Sequence, residues 1–255
     1  MKSIFKRKSQ LSFVTRQSFA TIPQLERSVL EIGPFNNPCV RGENVSYFDV
    51  MTTDELRERA KRVGYDPDTI PTINYVANDG DLSVIDAKFS AVISCHCIEH
   101  QPDLIRHFNQ VERLLEPGGK YYLVIPDKRY CFDHFIDPSS LQAVLESKGH
   151  TRHPLLKVIE HRALTTHNEA YRHWAGDHVD SGWKESIAGR ALGAIHEYDM
   201  ARGGYVDVHR WQFTPKSYEE IVLGLNAANE VALKIITLND TPENDMQFTA
   251  VMAFS

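Results

Sequence analysis

Apolar and polar positions alternate along this chain in blocks that read as strands and helices in turn. Ser28 to Ile32 is a short apolar run with one acid, Glu31, and it breaks at Gly33-Pro34. Val45 to Val50, Ile73 to Ala77, Phe89 to Ser94 and Lys120 to Pro126 repeat the strand pattern. The fourth of these carries too many consecutive apolar residues for an exposed edge and is expected inside a parallel sheet. Between them, Thr52 or Thr53 caps a helix to about Val63, with Glu55 near its first turn. Asp103 caps another to Leu115, in which Leu104, Phe108, Val111, Leu114 and Leu115 recur at helical spacing, and Pro117-Gly118-Gly119 ends it. Pro34 to Asn44 holds prolines, asparagines and a glycine and reads as loop. The helix that normally links the first two parallel strands is therefore expected to be lost or cut to one turn.

After Pro126 the alternation stops. Residues 127–212 form a long insertion with helical patches at 139–147 and 155–174, and seven of the twelve histidines lie between His134 and His178. Thr214-Pro215 opens a helix to about Ala228. Residues 231–238 and 247–254 read as two final strands, the last pair antiparallel. The expected fold class is α/β, a Rossmann-like sheet, mostly parallel with an antiparallel last strand, and a helical insertion after strand five. Residues 28–255 form one domain with 127–212 as its lid and acceptor-binding insertion. Residues 1–27 form a basic N-terminal arm, expected to be loosely held, with a tether to anionic lipid or an acidic partner as the alternative.

Bulk properties narrow this further. With 255 residues, 42% hydrophobic and 24% charged, the chain is an ordinary globular protein. A net charge of −6 gives no general reason to expect nucleic acid as a partner. The four cysteines (39, 95, 97 and 131) form no CxxC pair, so reduced thiols and a cytoplasmic location are expected. No apolar run is long enough for a transmembrane segment.

In a parallel sheet, ligands bind at the carboxyl ends of the strands. After strand one stand Glu31, Gly33 and Pro34; the glycine lets backbone approach a ligand, and Glu31 can order the loop or take a cationic group. Asp49, after strand two, is placed to grip ribose hydroxyls. Asp79 and Gly80, after strand three, suit an adenine amino group and a close backbone contact. Cys95, His96 and His100 follow strand four. Singly, each has a plain alternative as a turn former or a backbone partner.

The ordered set resembles the class I S-adenosylmethionine-dependent methyltransferases. Val-Leu-Glu-Ile-Gly-Pro (29–34) is similar to their first motif, Phe-Asp-Val (48–50) to the ribose-binding acid, and Asn-Asp-Gly (78–80) to the adenine-side motif. Cys-Ile-Glu-His-Gln-Pro-Asp (97–103) and Arg-Leu-Leu-Glu-Pro-Gly-Gly-Lys (113–120) are the specific matches. The loop Gly33-Pro34-Phe35-Asn36-Asn37 departs from the family's Gly-x-Gly-x-Gly. The resemblance implies S-adenosyl-L-methionine as cofactor, bound by Glu31, Gly33, Pro34, Asp49, Asp79, Gly80, Cys95, His96 and His100. Ile125-Pro126-Asp127-Lys128-Arg129 and Asp207 to Pro215 resemble a bacterial subgroup often linked with glycan and surface-polysaccharide synthesis, which implies a small-molecule or glycan acceptor methylated on oxygen. Asp127, His209, His134 and His96 are the expected candidates for the base. No metal is expected: His150 and His153 have i, i+3 spacing, but His161, His167 and His173 would not share a helix face. Trp174, Trp183 and Trp211 can stack on an acceptor or fill core. The rival reading is a catalytically inactive methyltransferase-like binding module, favoured by the altered glycine loop. A nicotinamide enzyme is disfavoured, since Gly-x-Gly-x-x-Gly is absent.

Overall fold

The computed structural model describes residues 14–254. One seven-stranded sheet is built from β1 (Val29–Ile32), β2 (Val45–Asp49), β3 (Tyr75–Val76), β4 (Phe89–Cys95), β5 (Leu115–Pro126), β6 (Lys234–Asn239) and β7 (Gln247–Ala253). The order is β3-β2-β1-β4-β5-β7-β6. The first five strands are parallel, and β7 runs antiparallel to both of its neighbours. The sheet is thus the Rossmann-like methyltransferase arrangement.

Side chains alternate across each strand, so each face buries its own cluster. On one face, Leu30, Ile32, Val92 and Leu123 pack with α3 (Leu104–Leu114) and α8 (Pro215–Ala227) through Phe108, Val111, Tyr218 and Leu225. On the other, Val29, Ala91, Ile93 and Tyr122 pack with α1 (Arg16–Gln24) and α2 (Thr53–Val63) through Phe19, Leu56 and Ala60. Thr52 and Glu55 form a reciprocal capping box, and Gly64 closes α2 in a left-handed conformation.

Four expectations need correction. Residues 1–13 of the basic arm lie outside the described residues, but the rest of it is held: Thr15 caps α1, and Phe19, 1% exposed, meets Tyr122 edge to face. β5 starts at Leu115 instead of Lys120, because Leu115 pairs with Phe89 before the register shifts. Gly119 suits this irregularity; a Cβ there would stand 3.0 Å from the Glu116 carbonyl and 3.1 Å from that of Phe89. The helix expected across 155–174 is two, α5 (Leu155–Leu164) and α6 (Ala170–Trp174), separated where Thr165 turns extended. Finally, Cys39 and Cys95 are joined in a disulfide, where reduced thiols were expected; the two lie apart in sequence and only the fold brings them together.

The insertion leaves and returns at one place. Asp127 bridges Phe213 in parallel fashion, and Lys128 N donates to the Phe213 carbonyl at 2.8 Å. Besides α5 and α6 it holds α4 (Leu141–Glu146) and α7 (Trp183–Met200). Val158, Ala194, Val206 and Val208 make its own small core. Among the described residues, no helix is long and apolar enough to cross a membrane.

Candidate active site

The carboxyl ends of β1, β2, β3 and β4 meet at one rim. Gly33 N donates to the Phe48 carbonyl at 2.9 Å, Ala77 N to that of Asp49 at 3.3 Å, and His96 N to that of Val124 at 2.9 Å. Gly33 (φ 70°) and Gly80 (φ 71°) take the left-handed conformation that costs glycine nothing. Glu31 does not face a ligand. Its carboxylate accepts Cys39 N at 2.7 Å and Val40 N at 3.1 Å, and so pins the helix-free loop between β1 and β2. Burial pushes its pKa up to about 7 against those two amides. Arg16 of α1 holds the same loop by donating to the Asn37 carbonyl at 2.7 Å.

Asp49 ends β2, 8% exposed, with Oδ1 accepting Met51 N at 3.1 Å. Burial raises its pKa to about 6, opposed by the amides of Met51 and Val50. Asp79 is exposed and its Oδ1 accepts Asp81 N, while Pro34 is buried beside Gly33. His96 sits at φ 50°, a conformation that costs a non-glycine residue on the order of 1 kcal/mol and marks functional sites. Its Nε2 lies 2.7 Å from Gln247 Oε1, and burial lowers its pKa to about 4. A cavity of about 500 Å³ adjoins it, lined by Arg16, Gln17, Asn37, Cys39, Asp245 and Gln247.

Behind β4 the 3-10 turn Ile98–His100 carries a cluster of buried polar groups. The Glu99 carbonyl accepts Arg210 N at 2.7 Å and Trp211 N at 3.1 Å, which lays the end of the insertion across the turn. That brings His209 over Glu99: His209 Nε2 and His100 Nε2 each stand 3.8 Å from Glu99 Oε1. His209 Nδ1 donates to Asp133 Oδ2 at 2.6 Å, and His100 Nδ1 lies 2.9 Å from Asp207 Oδ1. His161 Nδ1 accepts His209 N at 3.1 Å. Glu99 is completely buried, yet neither of its carboxylate oxygens has a hydrogen-bond partner. Burial raises the pKa of Glu99 and of Asp133 to about 7 and lowers that of His209 far below its ordinary value. Burial opposes protonation of His100 too, but Asp207 and the other nearby carboxylates win and raise its pKa.

The structure therefore sorts the expected residues. Gly33, Asp49, Gly80 and His96 share the rim. Glu31 is turned into the loop, Cys95 has its sulfur committed to Cys39, and His100 stands in the buried cluster beside Asp207. Among the expected bases, His209 stands in the cluster. Asp127 does not qualify: it is fully buried and both oxygens are taken by Arg129 and Thr241. His134 donates from Nδ1 to the Arg129 carbonyl and stacks on His178, away from Glu99's contacts. The tryptophans are occupied as well: Trp211 is 1% exposed, Trp174 stacks on Tyr130, and the Trp183 indole donates to the Thr165 carbonyl. Sequence reasoning missed Asp133 and the pairing of Glu99 with His209, residues far apart along the chain.

Residues 38–123 match the family model of a methyltransferase domain. No curated protein matches the chain. Among solved structures, the CcbJ methyltransferase from Streptomyces caelestis is 13% identical, with 94% of each chain covered and a TM-score of 0.46. An S-adenosylmethionine-dependent methyltransferase from Clostridium acetobutylicum is 10% identical, covering 94% of this chain and 91% of its own, at a TM-score of 0.47. The glycopeptide N-methyltransferase MtfA is 14% identical, covering 95% of this chain and 92% of its own, at a TM-score of 0.45. The sheet order and the domain match over residues 38–123 together support S-adenosylmethionine-dependent methyl transfer, with S-adenosylmethionine as the cofactor. The rim's features suit that molecule: two left-handed glycines that let backbone come close and a buried Asp49 carboxyl that gains from hydroxyl donors.

Proposed function

We propose that this methyltransferase acts on a hydroxyl oxygen of a sugar or glycan-type acceptor. S-adenosylmethionine supplies a methyl group already activated on a sulfonium, so the protein's work is to hold the partners and prepare the acceptor. Gly33, Asp49, Gly80 and the segment after β4 would hold the cofactor. The observation that carries the reading is the buried cluster of Glu99, His100, His209 and Asp133 directly after β4. An amine nucleophile needs little more than its lone pair, whereas a sugar hydroxyl, with a pKa far above neutrality, gains from a group that takes or weakens its proton. His209, its Nδ1 fixed by Asp133, belongs to that group. The likeness of Asp207 to Pro215 and Ile125 to Arg129 to a glycan-linked subgroup supports the sugar-type acceptor.

The test is calorimetric titration with S-adenosylhomocysteine on wild type and Asp49→Ala, followed by a screen of sugar and amine acceptors. Micromolar binding that is lost in the variant, with turnover confined to hydroxyl acceptors, is the expected result. Failure of correctly folded wild type to bind would turn the reading to a non-catalytic module.

A further inference from the structure

We propose that Glu99, His100 and His209 hold a divalent cation of the kind that accepts imidazole, and that Asp133 and Asp207 are the positioning residues for its two histidines.

Three independent features of the cluster converge on this. The first is the ligand set. Glu99 Oε1, His100 Nε2 and His209 Nε2 lie within 4.8 Å of one another, the span a metal ion would close by small side-chain movements. Two imidazoles and one carboxylate leave the remaining positions of a six-coordinate ion open, as suits manganese, iron or cobalt better than calcium.

The second is tautomer control. Each histidine has its Nδ1 against a carboxylate: His209 on Asp133 at 2.6 Å and His100 on Asp207 at 2.9 Å. The hydrogen bond from His209 Nδ1 to Asp133 keeps the proton there and frees its Nε2 lone pair, whereas the His100–Asp207 contact is an ion-pair approach without hydrogen-bond alignment; both Nε2 atoms are the ones turned to Glu99. Metal-binding histidines are ordinarily supported in this way. One histidine so held is common; here a second imidazole, beside its own carboxylate, is aimed at the same buried Glu99.

The third is the unsatisfied carboxylate. Glu99 is 0% exposed and neither oxygen has a hydrogen-bond partner, although a buried carboxylate left without partners is costly. Asp133 Oδ1 is likewise without a partner. A cation satisfies these groups where the protein itself does not. The cluster reaches solvent through His100, whose side chain is 28% exposed.

Two other groups lack these features: in Asp133, His161 and His209, which overlaps the proposed site, His161 Nδ1 is taken by His209 N at 3.1 Å and His209 Nδ1 by Asp133 at 2.6 Å. His134, His173 and His178 include no carboxylate. Their rings stack, with His134 and His178 at 3.7 Å and 13° between planes, so in-plane lone pairs run side by side instead of converging. His173 Nδ1 and His178 Nδ1 already share a hydrogen bond at 3.1 Å. Sequence spacing found none of these groups; position 209 joins 99 and 100 only in the fold.

The role of the cation rests on the methyltransferase reading above; its binding does not. Set directly after β4, it would bind and polarise the acceptor hydroxyl, and its open positions favour an acceptor with two neighbouring oxygens, as in a sugar diol.

The experiment uses the full chain stripped with a chelator. Mn²⁺ binding is followed by the loss of the free-ion paramagnetic resonance signal, and S-adenosylhomocysteine binding by calorimetry on the same samples. Wild type is expected to take up one Mn²⁺ per chain. Glu99→Gln and His209→Gln should weaken binding at least about tenfold, and Asp133→Asn by about 10–100-fold, the usual range for an outer-shell partner. His173→Gln should bind as wild type does. Circular dichroism of each variant establishes that it is folded, and uptake of Mn²⁺ that protects wild type but not Glu99→Gln from thermal unfolding gives a second readout. No stoichiometric uptake by wild type, or equal uptake by folded Glu99→Gln, overturns the cation site. If S-adenosylhomocysteine still binds in that case, the methyltransferase reading stands without it; Mn²⁺ uptake with no S-adenosylhomocysteine binding has the opposite meaning.

Discussion

Asp127→Asn separates a structural acid from a catalytic one. Asp127 closes β5 at the ligand-binding end of the sheet, where a base would be sought, but its carboxylate is fully engaged. Oδ1 accepts the amide and Nε of Arg129, both at 3.0 Å; Oδ2 accepts Arg129 Nη2 and the Thr241 hydroxyl, both at 2.6 Å. Asparagine keeps the size but sets an NH₂ donor against donors and removes the charge. Breaking a buried pair from one side costs about 3–5 kcal/mol. Arg129 is 41% exposed and keeps a second partner in Asp240, so it recovers some hydration and the loss settles at about 2–3 kcal/mol. At roughly 2–4 °C per kcal/mol for a chain of this size, the melting temperature should fall by about 4–12 °C. Thermal unfolding reads this directly, and S-adenosylhomocysteine titration should show affinity unchanged, since Asp127 makes none of the rim's contacts. A variant that melts within about 1 °C of wild type would refute the structural assignment and return Asp127 to the list of bases.

Two further tests concern the rim and its cover. In the proposed function Asp49, lifted to about 6 by burial, would bind ribose hydroxyls as the anion. Its folded pKa lies above the ordinary 3.8, so it favours the folded state below that value and loses this contribution as pH rises through about 6. Ligand affinity has the opposite trend: S-adenosylhomocysteine binding should weaken as pH falls below about 6, approaching tenfold per unit, and a flat profile from about pH 5 to 7.5 would sink the assignment. Phe19→Ala should cost about 3–5 kcal/mol in urea unfolding, because the ring is 1% exposed against Tyr122; a cost under about 1 kcal/mol would mean that α1 is only loosely held after all.

Much of the fold was legible because it is written in local signals. The cap at Asp103, the capping box at Thr52 and Glu55, and the apolar run at Phe89 act within a turn or a strand, and each appears where the sequence puts it. α7 left no such trace: of its 18 residues only Ala194 is buried, so it carries no apolar stripe for periodicity to find. The start of β5 was misplaced for a related reason. Pro117, Gly118 and Gly119 resemble a helix stop, and the pairing of Leu115 with Phe89 is a contact between distant segments.

The site divides along the same line. Gly33, Asp49, Gly80 and His96 could be named from sequence because each follows its own strand, and a parallel sheet gathers strand ends at one rim by construction. The sequence by itself therefore determined the sheet and the rim where its strand ends gather. What only tertiary structure decided is which polar side chains meet away from the rim. Glu99, Asp133, Asp207 and His209 meet because the insertion returns over a 3-10 turn and donates two amides to a single carbonyl, and Asp127 is withdrawn from chemistry because Arg129 and Thr241 close on it. Such meetings depend on distances through space between residues remote in the chain, and no spacing along the chain encodes them.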